Sequence, residues 1–307
     1  MSSSDPRLKA TTDGITAGDP DVLDATTPRT ARLRLPGGYP FDWFAVAFLA
    51  VLIVSAIFAD FIPGLVRPNF PYGDFSQYPD WTLNGLFGTD ALGRSILSRV
   101  LYGARTTLAI VGVATAISLG IGMVLGMLSG FYRGPIERLV DLYANAMASL
   151  PPILVILALI AAVGNSIFTM MLALGVLDIG TYARIAKGGV ISQNDRDYVL
   201  AARAMGATDV RLLIREILPN LVPALTAIVP PLMAGLIITE GSLSFLGYGI
   251  PAPAPSWGGM IASSTDLLSR FPLLIFGPIV TIILTVYSLN TVGDYLARRL
   301  NNRQRGL

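Results

Sequence analysis

The sequence predicts an all-α integral membrane protein with about six transmembrane helices, and three observations carry that prediction. Of its 307 residues 53% are hydrophobic and only 14% charged, against roughly 25% charged in soluble domains. The apolar residues are gathered into long runs with few charges, the pattern needed to span a bilayer with about 20 residues of helix. Between the runs lie loops rich in Pro and Gly and one charged island, Asp197 to Asn220.

Composition also excludes functions. There is no Cys and no His, which removes disulfides, thiol nucleophiles, imidazole bases and the usual zinc and copper ligands. No catalytic residue and no metal site is expected. The two lysines, Lys9 and Lys187, lie outside any Gly-x-x-x-x-Gly-Lys-Ser/Thr loop of the kind that cradles phosphates. If ATP drives this protein, another chain binds it. A net charge of +2, scattered around the spans, leaves no footprint for nucleic acid.

In chain order, residues 1–40 read as a polar, disordered tail. Residues 41–62 hold the first span: Trp43 to Ala59 is uncharged between Asp42 and Asp60, with Trp43 suited to the interface. The 63–105 segment turns to Pro, Gly, Tyr, Asp and Asn and reads as an outer loop. Within it Gly88-Thr89-Asp90 is a turn with capping potential, followed by an amphipathic stretch displaying Arg94, Arg99 and Arg105.

Residues 106–300 form the core domain with five further spans. Thr106 to Tyr132 carries Gly112, Ala116 and Gly120, then Gly122, Gly126 and Gly130, at intervals of four. Such ladders let membrane helices pack backbone to backbone, within one subunit or against another. A charged turn, Arg133 to Arg138, leads into a span from Leu139 to Val163 that Pro151-Pro152 should kink. Val163 to Ser166 is long enough only for a tight turn, so Ile167 to Ala183 returns antiparallel, carrying Asp178. Leu221 to Leu246 is a span broken by Pro223 and Pro230-Pro231, and Phe271 to Val292 is the last. Residues 301–307 are a second tail.

The charged island, within a loop of residues 190–220, reads as two short helices around a bend at Gly206. Ala201, Ala202 and Ala204 keep the first helix shallow enough for another protein to approach. Thr208 is placed to cap the second, and Asp209 lies in its first turn, where negative charge suits the helix dipole. Val210, Leu213, Ile214 and Ile217 recur at helical spacing as one apolar face, Arg211 and Arg215 share another, and Pro219 ends the element.

Ala201-Ala202, Gly206 and Ile217-Leu218-Pro219 resemble the EAA loop of ABC importer permeases, although Leu200 stands where the motif's name calls for Glu. Gly88-Thr89-Asp90-x-x-Gly93-Arg94-x-x-x-Ser98-Arg99-x-x-x-Gly103-Ala104-Arg105 is similar to the signature before the second span of dipeptide, oligopeptide and nickel permeases. Leu243-Ser-Phe-Leu-Gly247 and Pro255-Ser-Trp-Gly258 match motifs of the same permeases. Where similar permeases carry a Trp before Tyr-Ala-Arg, this chain has Asp178-Ile-Gly-Thr ahead of Tyr182-Ala-Arg184.

The resemblance covers residues 41 to 300 and implies the second, C-type permease subunit of a peptide importer, with the type I ABC importer permease fold and cytoplasmic coupling helices. It implies docking of an ATPase on Ala201, Ala202, Arg203, Gly206, Ala207, Asp209, Arg211, Ile217, Leu218 and Pro219. The implied partners are a sister permease, two cytoplasmic ATP-binding subunits that use ATP and Mg, an extracytoplasmic binding protein and membrane lipid. The binding protein would meet outer loops containing Asp90, Arg94, Arg99, Pro255 and Trp257. The implied cargo is di- or oligopeptide, with nickel chelate or haem on the same machinery as the alternative.

Charge bias gives orientation independently. Of the 22 Lys and Arg, seventeen fall in segments assigned inside and five, Arg67, Arg94, Arg99, Arg105 and Arg270, outside. Both termini and the Gly206 loop are thereby expected in the cytoplasm of a prokaryotic, multi-pass plasma-membrane protein. Asp141 and Asp294 lie near inner ends of spans, and Glu240, roughly 28 Å from Leu221 along a helix, near an outer end. Only Asp178 sits deeper, so a proton-driven secondary transporter lacks its central relay. A passage is expected to be lined by Asn145, Thr239, Glu240, Ser242, Tyr287 and Asn290.

Overall fold

The computed structural model describes residues 40–304, with only helical backbone for 40–42 and 301–304. The expected tail, Pro40 apart, therefore lies outside the described residues. Nine helices organise what is described: α1 Pro40–Ile57, α2 Ile96–Tyr132, α3 Gly134–Ser149, α4 Pro152–Val163, α5 Ile167–Asn194, α6 Asp197–Ala204, α7 Asp209–Phe245, α8 Trp257–Ser264 and α9 Phe276–Gln304.

By length and composition α2, α5, α7 and α9, the last with the turn from Pro272, each suffice to cross a bilayer. Helices α3 and α4 pass only as a pair bent by 97°, a far sharper break at Pro151-Pro152 than a kink. Trp43–Ile57 is a shorter apolar helix.

Contacts fix the directions. Gly122 of α2 meets Ile179 of α5, Gly126 meets Ala183, and Gly130 meets Lys187 and Val190. Both series rise together, so α2 and α5 run parallel. A chain that crosses twice in one direction has crossed back in between, which makes α3 and α4 one broken span. Helix α7 runs the other way: Leu221 at its start meets Gly189 late in α5, and Glu240 near its end meets Thr107 early in α2. Helix α9 reverses again, with Gly277 beside Ile96 and Val100, and Gly293 beside Pro231.

The last turn of α1 is tied to the start of α2, where Arg105 donates to the carbonyls of Ala56 at 2.9 Å and Ile57 at 2.7 Å. The 18 residues of α1 rise about 27 Å, close to the hydrocarbon thickness of about 30 Å. With α1 counted as a span the bundle makes six crossings, five of them by helices or a helix pair long and apolar enough by themselves. The Gly206 loop lies at one pole, together with the described ends of the chain; the 58–95 and 246–275 segments lie at the other.

Close packing explains the glycine ladder. A Cβ on Gly122, Gly126 or Gly130 would lie within 3 Å of α5 backbone oxygens, so this ladder closes α2 on α5 within the subunit. A Cβ on Gly112 or Gly120 would meet nothing within 4 Å.

Prolines behave differently from the sequence expectation. Pro219, Pro223, Pro230 and Pro231 all lie inside the continuous α7, so Pro219 does not end the element and the others do not break the span. Neighbouring groups and local π geometry relieve such prolines in membrane helices. Pro219 follows a π-helical turn at Leu212–Ile217, and Gly293 leaves room for the Pro231 ring. The charged turn expected over 133–138 shrinks to Arg133, at φ 53°, before α3 begins.

Candidate functional site

At the pole of the Gly206 loop, α6 buries Val199 and Ala202 against Val190, Leu212, Leu213 and Ile217. It closes in a hydrogen-bonded reversal: Ala207 N–H donates to the Ala202 carbonyl at 3.1 Å and Gly206 N–H to that of Arg203 at 3.0 Å. This is the Schellman arrangement, which needs a left-handed residue, and Gly206 supplies it at φ +82°. Thr208 has the extended backbone of a cap, but its side chain makes no capping hydrogen bond.

The apolar face differs from the helical expectation. Leu212, Leu213 and Ile217 are buried, whereas Val210 is 62% and Ile214 55% exposed. The wider π turn rotates the face, bringing Leu212 and Ile217, five apart, to one side. Leu200, Met205, Val210 and Ile214 are thus exposed apolar side chains on both flanks of the Gly206 turn, interspersed with exposed Ala201, Asp209, Arg211 and Pro219. Ala207 and Leu218 are half-buried. Arg203 anchors the loop, donating to Asn194 Oδ1 at 3.1 Å and lying 5.9 Å over the Phe131 ring.

At the opposite pole the residues expected to face a binding protein turn inward. Asp90 is buried; its Oδ2 is 2.7 Å from Arg94 and 3.5 Å from Arg99, and its Oδ1 accepts from the amides of Leu92 and Arg94. Arg99 is buried and donates to the Pro68 carbonyl. Pro255 is buried, and the fully buried Trp257 donates from Nε1 to the Val100 carbonyl at 3.0 Å. These motif residues tie the loops to α2. Exposed apolar groups of the same segments include Phe70, Phe75, Tyr78, Trp81 and Leu92. Asp60, at the edge of the bundle, has its carboxyl held below the usual range, first by the Tyr102 hydroxyl and then by Arg105.

The residues expected to line a passage scatter over several faces. Glu240 is fully buried, accepting from Thr107 at 3.2 Å and Ser244 at 2.6 Å, and so joins α7 to α2. Tyr287 and Asn290 are exposed on α9, and Ser242 borders a separate apolar groove with Phe245 and Gly258. Thr239 lines a cavity between α3, α4, α5 and α7, and Asn145 accepts from Arg184, which lines it too. Sequence reasoning missed the companions there, Thr181 and Arg184; polar residues at three-residue intervals from Asp178 in an apolar span were the available signal. It also missed Lys187, which bridges Glu137 at 2.8 Å and Asp141 at 2.7 Å and clamps α3 to α5.

Repeated membrane crossings, motif residues spent on holding loops together and an exposed apolar loop at one pole describe a polytopic membrane protein with a surface open to a partner. The family follows from comparison: the chain belongs to the binding-protein-dependent transport system inner membrane components, whose model matches residues 122–306. It is 34% identical to the di/tripeptide transport system permease protein DppC of Pseudomonas aeruginosa, over 83% of this chain and 85% of that one. It is 35% identical to the glutathione transport system permease protein GsiD of Shigella dysenteriae, over 85% and 86% of the two chains. A chain of the inward-facing MetNI methionine ABC transporter shares the fold at a TM-score of 0.54 and 18% identity, covering 66% of this chain and 97% of that one. The chain is accordingly a transport-system permease subunit and not an enzyme.

Proposed function

We propose that this chain and a sister permease form the path by which a prokaryotic plasma-membrane importer takes in short peptides. An external binding protein delivers the peptide, and two cytoplasmic ATPases, using ATP and Mg, dock on the Gly206 loop. The observation that carries the docking assignment is the exposed Gly206 turn flanked by Leu200, Met205, Val210 and Ile214. Burying such a patch against a partner is favourable, and its exposure in the isolated chain marks an interaction surface. The bias of seventeen positive charges to five supports a cytoplasmic position for this pole and for both termini. Peptide as cargo is supported by the similarity to di/tripeptide and glutathione permeases.

Mechanically, closure of the ATPases on ATP moves the docked loop, and the bundle exchanges inward for outward access. Only a contact that differs between those states can drive the exchange. Replacing Gly206 by Val tests this. Its Cβ would meet nothing within 4 Å, so the cost to the fold is that of the left-handed backbone, above the roughly 1–2 kcal/mol of an unbranched residue, while bulk is added at the contact. Assembled complexes carrying Gly206→Val should lose about tenfold or more of ATP-coupled peptide uptake. Wild-type coupling in that variant would sink the docking assignment; uptake without ATP would sink the importer.

A further inference from the structure

Between α3, α4, α5 and α7 lies a cavity of about 340 Å³. Most of its wall is apolar, but Asp178, Thr181 and Arg184 of α5 and Thr239 of α7 open into it. Asp178 makes no hydrogen bond or ion pair among the described residues. It lies eleven residues into α5, about 17 Å from the start of the helix and therefore deep in the membrane. An unpaired carboxylate at that depth is too costly to face hydrocarbon. Asp178 instead lines the cavity, where an entering cationic group would meet a carboxyl that has no partner among the described residues.

Arg184 stands six residues further along the same helix, about 9 Å toward the Gly206 pole. One of its terminal nitrogens donates to the Ala144 carbonyl and, at 3.4 Å, to Asn145 Oδ1. A guanidinium has five donors, so others remain for an anion. An extended peptide spans at most about 3.5 Å per residue, so a dipeptide or tripeptide bridges about 7 to 11 Å between its charged ends.

We propose that this cavity is a transit site for short peptides with free termini. Asp178 accepts the terminal ammonium, Arg184 donates to the terminal carboxylate, and the apolar wall takes the side chains without selecting among them. The inference rests on the reading of the chain as a peptide permease and adds to it which part of the peptide this subunit holds.

The test is made on the whole importer, reconstituted in liposomes with its sister permease, ATPases and binding protein. Initial uptake of Ala-Ala and of N-acetyl-Ala-Ala, which has no ammonium, is compared for the wild type and Asp178→Asn. Asp178→Asn should lower Ala-Ala uptake by about tenfold or more, the worth of a charge-assisted hydrogen bond, and leave the acetylated peptide at its wild-type rate. Equal loss for both peptides overturns the proposal, as it would if Asp178 instead neutralised a cation of the sister chain. Failure of the wild type to take up any peptide with ATP refutes the peptide-permease reading itself.

A second measurement does not depend on delivery or transport. The chain has no cysteine, so Thr181→Cys places its single thiol in the cavity. In the assembled complex, alkylation of that thiol should be slowed by Ala-Ala and not by N-acetyl-Ala-Ala. Equal protection by the two, or none by either, overturns the site.

Discussion

The two glycine series of α2 predict opposite responses to one chemical change. At Gly126 an added Cβ would lie 2.3 Å from the Ala183 carbonyl oxygen and 2.7 Å from the Ala186 Cβ. Both belong to, or are fixed on, the backbone of α5, so no side-chain rotation relieves them and the helices must part by about 1 Å to reach ordinary contact. Overpacking of this kind costs about 1–3 kcal/mol, and the gain from replacing a helical Gly offsets at most about 1 kcal/mol. At Gly120 the same Cβ meets nothing within 4 Å, leaving only the gain. In thermal unfolding of the detergent-solubilised chain, Gly126→Ala should therefore fall below the wild type and Gly120→Ala match or exceed it. At about 2–4 °C per kcal/mol the two variants should differ by several degrees. A Gly126→Ala chain as stable as the wild type would refute the helix pairing from which the parallel course of α2 and α5, and hence the six crossings, is deduced. Destabilisation by Gly120→Ala that appears only in the assembled complex would assign the Gly112, Ala116 and Gly120 stripe to a neighbouring subunit.

The loop at the other pole offers three further measurements. Asp90→Ala leaves Arg99 buried without its carboxylate, which costs about 3–5 kcal/mol and should appear as new proteolytic cleavage within residues 63–95; an uncleaved, fully stable variant contradicts the network. Trp257→Phe removes the Nε1 donor to Val100 and part of a fully buried ring and should lower stability by at least about 1–3 kcal/mol in thermal unfolding, with no change expected had the indole been presented to solvent. Asp60 is a carboxylate whose folded value is depressed by the Tyr102 hydroxyl and Arg105, so its stabilising effect is complete above the ordinary carboxylate value of about 4. The difference between wild type and Asp60→Asn should then be constant from neutral pH down to that value and vanish in stronger acid. A difference that disappears on raising the pH contradicts the sign.

Most of the fold was legible because membrane spans announce themselves by composition, and because α2, α5 and α9 each begin or end near a loop signal. The halves of the broken span were harder. Gly134–Ser149 is amphipathic, and its turn of direction at Leu150 and Pro151 depends on α3 lying along α5, where Lys187 reaches Glu137 and Asp141. No pattern within residues 134–163 contains that partner. The prolines of α7 were misread for the same reason: the room for Pro231 comes from Gly293, more than sixty residues away in sequence.

Site residues were harder still, because a motif records that a residue type is needed and not which way it points. Asp90, Arg99 and Trp257 sit in long, specific patterns, and those patterns turn out to describe the internal hydrogen bonds of a loop that has to stand in water beside a membrane. The surface of the Gly206 loop shows the complementary case. Helical spacing placed Val210 and Ile214 on one apolar face with Leu213 and Ile217, but the π turn brings Leu212 and Ile217, five positions apart, to a single side. That turn exposes Val210 and Ile214 beside Leu200 and Met205. A local change of helical pitch, invisible to a periodicity count, thus decides which apolar groups complete the core of this subunit and which are left for a partner.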